Sequence, residues 1–330
     1  MKYILIAFVF LTSCVSNASK QLPTITTNEY EITRDSVRIE TSNGSIFGIL
    51  FKPIGIDKKT PAVLCLQGGG NVGLSNYLYE AEFFAKQGVV ALVCDKSGAG
   101  LSNTKKSWRA QSFVDKTNEY YELFTWLSNK TYVNSNKVGV HGMSEGGRLA
   151  LNMAIEFPED IAFVNAVSGP IESYKKNHLY AIKHNFLSRN IDSVTVNKAV
   201  HLWDIYLEEV SLGNISSETI KKVNAFRKLH PEVSYLPSNS TRLPQRPSSQ
   251  DVHFTQEGKL DGIKCPVLFQ YGELDILVDP KKSIALIPDK PNFEIKNYKV
   301  TDHSMTLKNG DVHPNFILDK KTWIHGFLEL

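Results

Sequence analysis

The 330-residue sequence has little cysteine, no internal repeat and no strong excess of charge of either sign. It contains four cysteines, and its 14 prolines and 21 glycines follow no period. These shortages exclude a disulfide-stapled scaffold and a collagen-like fibre. The 37 basic residues nearly balance the 34 acidic ones, and no basic run is longer than a pair, so the charge pattern of a nucleic-acid-binding protein is missing. With 42% hydrophobic residues, the chain can bury a full core, in two domains or one large α/β unit.

The sequence also lacks an apolar run that is long enough to cross a membrane as a helix. The longest run covers residues 3–11, well short of the roughly 20 residues that a spanning helix needs. It follows Met1-Lys2 and ends among small residues, which is typical of a secretory signal peptide. We therefore predict a signal peptide over residues 1–13.

The end of this segment carries a second signal. Residues 11–14, Leu-Thr-Ser-Cys, resemble the lipobox of bacterial lipoproteins, in which the cysteine is lipidated and becomes the new N-terminus. The resemblance implies a lipid anchor on Cys14, a tether over residues 14–30, and an exported lipoprotein of the cell envelope, in the outer membrane or the periplasm. The alternative is a plain secretory signal cleaved near Ser16 or Ala18.

The other three cysteines, Cys65, Cys94 and Cys265, each lie in or beside an apolar run. An odd number of cysteines in such surroundings predicts reduced core residues rather than a disulfide framework. None of them has a cysteine or histidine neighbour at metal-ligand spacing, so we predict no metal site.

From residue 31 onwards, short apolar runs alternate with segments of helical periodicity. Residues 37–41 and 46–51 flank an Asn-Gly pair, which predicts an antiparallel hairpin with a tight turn. The later apolar runs are bounded by glycine or charge, as buried parallel strands are. The predicted strands cover 62–66, 89–94, 138–140, 161–167, 266–271 and 293–300, and the predicted helices include 77–86, 113–127, 200–210, 217–229 and 314–328. This order predicts an α/β fold with a mostly parallel central sheet flanked by helices.

A Gly-x-Ser-x-Gly pattern lies at one predicted junction between a strand and a helix. Strand 138–140 runs into Gly142-Met143-Ser144-Glu145-Gly146, and a helix-forming segment follows. A sharp turn there would strain the backbone of Ser144, so side chains two residues before and after it would collide with neighbouring atoms. The N-terminus of the following helix would favour a developing negative charge. The pattern predicts a nucleophilic Ser144; the alternative is a glycine-rich helix start without chemistry.

Together with two other motifs, this pattern resembles the α/β-hydrolase superfamily. Leu66-Gln67-Gly68-Gly69-Gly70 ends one predicted strand and Asp95-Lys96-Ser97-Gly98-Ala99-Gly100 follows the next, where the superfamily commonly carries His-Gly-Gly and Asp-x-Arg-Gly-x-Gly. The similarity spans roughly residues 36–330 and is closest to bacterial esterase and serine-peptidase-like members. It implies an α/β-hydrolase domain over residues 31–330 with a helical cap inserted at about 171–262. Because Gln67 and Ser97 replace the usual histidine and arginine, we expect different packing around the glycines.

A serine nucleophile needs a histidine to take its proton and a carboxylate to orient that histidine. The order in the superfamily is nucleophile, acid, histidine. The resemblance therefore implies that Asp275, in the loop after strand 266–271, is the acid. It implies that His303, just after the last strand, is the general base. The alternatives are Glu273 and Asp279 for the acid and His313 and His325 for the base.

The oxyanion hole needs two backbone N–H groups that face the tetrahedral intermediate. The resemblance implies the N–H of Glu145, directly after the nucleophile, and the N–H of Gly69, with Gly70 as the alternative. Glycine suits the second position because the substrate must approach the main chain closely.

These expectations define a serine hydrolase that cleaves carboxylic esters of small to medium acyl substrates through an acyl-enzyme, without a cofactor. The same triad cleaves amides and thioesters, so a peptidase, an aminopeptidase or an acyl thioesterase is the alternative. A non-catalytic binding lipoprotein of the envelope is the alternative from another class. The expected partners are a small acyl substrate and, through the lipid anchor, a membrane; no nucleic acid is expected.

Overall fold

The computed structural model describes residues 29–70, 72–230 and 248–328. The predicted signal peptide at residues 1–13, the predicted lipidation site Cys14, and all but the last two residues of the tether lie outside these ranges. None of the helices within them is both long and apolar enough to cross a bilayer.

Nine strands lie in the described residues, and all belong to one sheet. They are β1 (Ile32–Thr41), β2 (Gly44–Pro53), β3 (Thr60–Leu66), β4 (Val90–Cys94), β5 (Asn103–Thr104), β6 (Val133–Met143), β7 (Val164–Val167), β8 (Val267–Gly272) and β9 (Phe293–Tyr298). The order across the sheet is β1-β2-β4-β3-β6-β7-β8-β9, and the short β5 pairs with β2. Strands β1 and β2 pair antiparallel, as do β2 and β4, whereas all pairs from β4 to β9 are parallel. The prediction of a mostly parallel central sheet is confirmed.

Helices cover both faces of this sheet. They are α1 (Leu78–Lys86), α2 (Phe113–Ser128), α3 (Glu145–Glu156), α4 (Tyr174–Ser188), α5 (Ser193–Ser211), α6 (Ser217–Leu229), α7 (Pro280–Ala285) and α8 (Pro314–Leu328). Strand β3 illustrates how the helices on both faces are held, because alternate side chains of a strand point to opposite faces of the sheet. Its Leu64 and Leu66 pack with α2 and α3, whereas Val63 and Cys65 pack with α1 and α8. Every residue of β3 is buried, which explains its continuous apolar sequence.

Cys65, Cys94 and Cys265 are free and buried, as predicted.

The predicted hairpin between β1 and β2 forms, but its two turn residues are Ser42 and Asn43, because Gly44 already pairs with Thr41. Gly44 has a φ of 134°, and a Cβ there would lie 2.6 Å from the carbonyl oxygen of Asn103 in β5. The glycine therefore serves the close approach of β5 rather than the turn.

Helices α4, α5 and α6 lie between β7 and β8 in the chain and have a small core of their own. Trp203 and Tyr206 of α5 are buried in it, so they pack these helices together. Helix α5 begins at Ser193, earlier than predicted, because the Asp192 side chain caps it by accepting from the Thr195 N–H. The prediction for α6 matches its observed bounds. The proline-rich stretch at residues 231–247, within the predicted cap, lies outside the described residues.

Candidate active site

Ser144 lies in a sharp turn between β6 and α3, at the carboxyl edge of the sheet. Its φ of 58° and ψ of −119° are strained for a residue with a side chain. The turn is tight enough to require both flanking glycines. A Cβ on Gly142 would lie 2.1 Å from the carbonyl oxygen of Gly146, and a Cβ on Gly146 would lie 2.3 Å from that of Leu66. The sequence pattern thus has the physical cause that was predicted for it.

Asp275 lies in the loop after β8, and its carboxylate is held on both oxygens. Oδ1 accepts from the N–H groups of Leu277 and Val278, at 2.7 and 2.9 Å. Oδ2 lies 2.7 Å from Nδ1 of His303. The Asp275 side chain is fully buried, whereas that of His303 is 15% exposed. A carboxylate at Nδ1 fixes the proton on that nitrogen, which leaves Nε2 as the basic nitrogen of the ring.

Ser168, directly after β7, was not predicted from the sequence and links the loop of His303 to the strand end that contacts Ser144. Its hydroxyl donates to the carbonyl oxygen of His303 at 2.9 Å. The residue before it, Val167, accepts from the Ser144 N–H through its carbonyl oxygen at 2.8 Å. The end of β7 therefore touches both Ser144 and the loop of His303. Ser168 has a φ of 47°, a strained value for which the sequence carries no signal.

The structure assigns other contacts to the alternative acids. Glu273 is exposed, and its carboxylate accepts from the Val300 N–H at 3.4 Å. Asp279 caps α7 by accepting from the Lys282 N–H at 3.0 Å. Of the three loop carboxylates, Asp275 is the one with a histidine contact.

The two alternative histidines, His313 and His325, also make contacts in other parts of the structure. Nδ1 of His313 accepts from the Asn315 N–H at 3.2 Å, and its ring packs against Tyr298. Nε2 of His325 lies 3.0 Å from the side-chain oxygen of Gln87, at the end of α1.

The two predicted oxyanion-hole residues lie side by side. A Cβ on Gly69 would lie 3.9 Å from Oε2 of Glu145, which is the first residue of α3. The side chain of Glu145 accepts from Nε1 of Trp108 at 2.8 Å and from Nζ of Lys116 at 3.3 Å. Burial by itself raises the pKa of Glu145, but the ammonium groups of Lys116 and Lys96 outweigh it and lower the pKa below its ordinary value. Glu145 is therefore an anion held beside Gly69.

The two departures from the superfamily motifs have local explanations. Nε2 of Gln67 donates to the carbonyl oxygen of Cys94 at 2.5 Å and so ties the end of β3 to the end of β4. The hydroxyl of Ser97 lies within 2.6 Å of the carboxylate of Glu119, a residue of α2. Both replacements are therefore buried and hydrogen-bonded.

In the described part of the chain, no three His, Cys, Asp or Glu residues are grouped so that they could hold a metal ion. The chemistry that these residues can perform is acid–base and nucleophilic: a serine at a helix N-terminus, and a histidine oriented by a buried carboxylate.

The fold and the site define a hydrolase of the α/β-hydrolase class. The family model described as "Serine aminopeptidase, S33" matches residues 58–308, about three quarters of the chain, and the protein belongs to this family. The sequence-based resemblance to the α/β-hydrolase superfamily is thereby confirmed.

The individual relatives include a lipase and a peptidase. Monoglyceride lipase of Saccharomyces cerevisiae is 22% identical over 316 residues, which cover 89% of this chain and 94% of the lipase. Dipeptidyl peptidase 8 of Mus musculus is 30% identical over 142 residues, but the chain covers just 16% of that protein's length. Among solved structures, the α/β hydrolase GrgF from Penicillium sp. sh18 superimposes with a TM-score of 0.59 at 18% identity, over 90% of this chain and 100% of that one. The family match supports a serine hydrolase in general terms.

Proposed function

We propose that the protein hydrolyses carboxylic esters of small to medium acyl substrates through an acyl-enzyme at Ser144. The proposal depends above all on one observation, the 2.7 Å contact between His303 Nδ1 and the buried carboxylate of Asp275, because it leaves Nε2 as the base. In the first step, the Ser144 oxygen bonds to the ester carbonyl carbon while Nε2 of His303 takes the hydroxyl proton. The N–H groups of Gly69 and Glu145 bind the resulting oxyanion.

The tetrahedral intermediate then collapses, and the carbon–oxygen bond to the leaving alcohol breaks. His303 returns its proton to that alcohol, which leaves the acyl group on Ser144. A water molecule then attacks the acyl carbonyl carbon while His303 takes one of its protons. The second tetrahedral intermediate collapses, His303 returns the proton to the Ser144 oxygen, and the carboxylic acid leaves.

The ester preference is supported by the extent of the lipase similarity. The similarity to the yeast monoglyceride lipase covers 94% of that protein and 89% of this chain, whereas the dipeptidyl peptidase match covers 40% of this chain. A peptidase is the second candidate, because the family model carries the description of a serine aminopeptidase. A thioesterase would use the same site.

Two experiments test this proposal. A fluorophosphonate probe should label the wild-type protein and fail to label Ser144→Ala, and that variant should lose about 10⁴- to 10⁶-fold in ester hydrolysis. Ser304→Ala is the matched control, since Ser304 is an exposed serine next to His303. A side-by-side panel of a monoacylglycerol, a short p-nitrophenyl ester, an acyl thioester and an aminoacyl amide should give the highest kcat/KM with an ester. A higher value for the amide would favour the peptidase instead.

We also propose that the protein is exported and anchored in the cell envelope through a lipid on Cys14. The support is the lipobox-like sequence at residues 11–14 after the apolar run at 3–11. A Cys14→Ser variant should move from the membrane fraction to the soluble fraction, while Cys65→Ser, at a buried core position, should stay with the membranes. Membrane retention of Cys14→Ser would contradict the anchor.

A further inference from the structure

Lys96 is a buried lysine whose ammonium group contacts the glycine loop, which consists of residues Gly68–Gly70. The residue is 2% exposed and lies two positions after the end of β4. Its Nζ donates to the carbonyl oxygen of Gly68 and, at 2.8 Å, to that of Gly70. An ammonium group has three donors and no acceptor, so it can hold both carbonyls at once. These two carbonyls flank Gly69, the proposed oxyanion donor.

The geometry of the peptide bond links Lys96 to the Gly69 N–H. The carbonyl of Gly68 and the N–H of Gly69 belong to one peptide unit, and the described residues contain no cis peptide bond. In a trans peptide, the C=O and N–H bonds point in opposite directions. Since the Gly68 oxygen points at Lys96, the Gly69 N–H points away from it. A cation on the carbonyl oxygen also polarises the unit and strengthens the N–H as a donor.

Other contacts locate this loop beside the nucleophile. A Cβ on Gly68 would lie 3.4 Å from Cβ of Ser144, and the Gly68 N–H donates to the hydroxyl of Tyr77 at 2.7 Å. Gly68 therefore has both its N–H and its carbonyl oxygen bound, and it cannot rotate freely. The next N–H along the chain is that of Gly69.

We propose that Lys96 is a positioning residue that holds the Gly68–Gly70 loop and directs the Gly69 N–H toward the oxyanion. This inference rests on the proposed function, because the oxyanion exists in the acyl-transfer reaction alone. Lys96 does not touch the substrate in this role. It acts through the loop, in the way that supporting contacts keep oxyanion donors at a productive distance.

The surroundings of Lys96 provide a matched control. Lys96 and Lys116 lie over the ring of the buried Trp108, with Nζ at 4.5 and 4.7 Å from the ring centre. Lys116 binds Glu145, but it has no hydrogen bond to the glycine loop. Lys96→Met and Lys116→Met therefore each remove one ammonium group that lies over the Trp108 ring. Of the two, Lys96→Met also removes the hydrogen bonds to the glycine loop.

The test compares kcat, KM and the inhibition constant of an alkylboronic acid, which forms a tetrahedral anion on a serine nucleophile. For Lys96→Met we expect kcat/KM to fall about 10- to 100-fold with little change in KM, somewhat less than the loss of a donor itself. The boronic acid should bind more weakly by a similar factor. Lys116→Met should weaken it less. Lys96→Arg, which keeps a charged donor, should recover part of the loss.

Titration of active sites separates this role from a purely structural one. A variant that merely folds less well has fewer active sites, and its remaining sites bind the boronic acid as tightly as the wild type does. That result for Lys96→Met would overturn the inference, as would equal losses in both methionine variants. If Lys96→Met does not accumulate as folded protein, the same comparison is made with Lys96→Gln, which keeps a neutral donor. An inactive wild-type protein would overturn the proposed function itself.

Discussion

Asp275 and His303 lie 28 residues apart in the chain and are joined by a 2.7 Å contact between Oδ2 and Nδ1. The two strand ends that carry them pack closely, since a Cβ on Gly272 would lie 2.2 Å from the carbonyl oxygen of Asp302. The N–H groups of Leu277 and Val278 hold the other carboxylate oxygen. Asp275 therefore has one orientation available, and that orientation fixes the histidine.

The first prediction concerns this pair. Asp275→Asn should preserve the backbone contacts at Oδ1 but present an N–H to His303, which favours the wrong tautomer of the ring. We expect kcat for ester hydrolysis to fall about 10⁴-fold, with the fold intact by circular dichroism. Glu273→Gln is the matched control, because Glu273 is exposed and two residues away. An Asp275→Asn enzyme with nearly normal kcat would exclude Asp275 as the orienting acid.

The second prediction concerns Ser168. Ser168→Ala removes the hydrogen bond to the carbonyl oxygen of His303 and leaves the ring contact with Asp275 in place. One such bond is worth about 1 kcal/mol, so kcat should fall about fivefold without a matching rise in KM. The comparison is Ser304→Ala, at the exposed position beside His303, where kcat should stay near the wild-type value. Equal kcat values for the two variants would show that Ser168 does not support the histidine loop.

The third prediction concerns the turn at Ser144. In Gly146→Ala the new Cβ would meet the carbonyl oxygen of Leu66 at 2.3 Å, so the backbone of β3 or α3 must move. We expect the free energy of unfolding to fall by about 1 to 3 kcal/mol and ester hydrolysis to be lost. Gly326→Ala, in α8 with no atom within 4 Å of the new Cβ, should instead add about 0.5 to 1 kcal/mol. Urea denaturation of both variants measures these changes.

Much of the fold was predictable because its signals are local. Strand β3 is a continuous apolar run, and the elbow around Ser144 is defined by glycines that the backbone geometry itself requires. Helix α6 was predicted with its observed bounds, and its start is fixed in the structure by the N-cap Ser216, whose side chain accepts from the Thr219 N–H.

The supporting residues of the site were not predictable in the same way. Ser168 and Lys96 act on backbone carbonyl oxygens of His303 and Gly68, which lie 135 and 28 residues away in the chain. A contact to a main-chain atom leaves no side-chain pattern at the partner position. Lys96 does lie inside the Asp95–Gly100 motif, and its place in that motif was the one available signal. The resemblance identified the glycines of that motif but gave no role to the lysine.

The last prediction concerns Asp251, a buried carboxylate that accepts from the N–H of Phe113 at the start of α2. Burial raises the pKa of Asp251 to about 6, although the Phe113 N–H and Lys116 act in the opposite direction. The unfolded chain loses this proton near its ordinary pKa of 3.8, whereas the folded protein keeps it until about pH 6. The stabilising contribution of Asp251 to the free energy of unfolding is therefore complete below pH 3.8 and is lost as the pH rises through 6.

Asp251→Asn should remove this pH dependence, because an asparagine side chain keeps the acceptor for Phe113 without a charge. At pH 7 the variant should be more stable than the wild type by up to about 3 kcal/mol, and near pH 4 the gain should largely vanish. Asp289→Asn, at an exposed position, should give no gain at either pH. Urea denaturation at both pH values measures the difference between each variant and the wild type. Equal stability of Asp251→Asn and the wild type at pH 7 would show that burial of the ionised Asp251 carboxylate does not destabilise the folded protein.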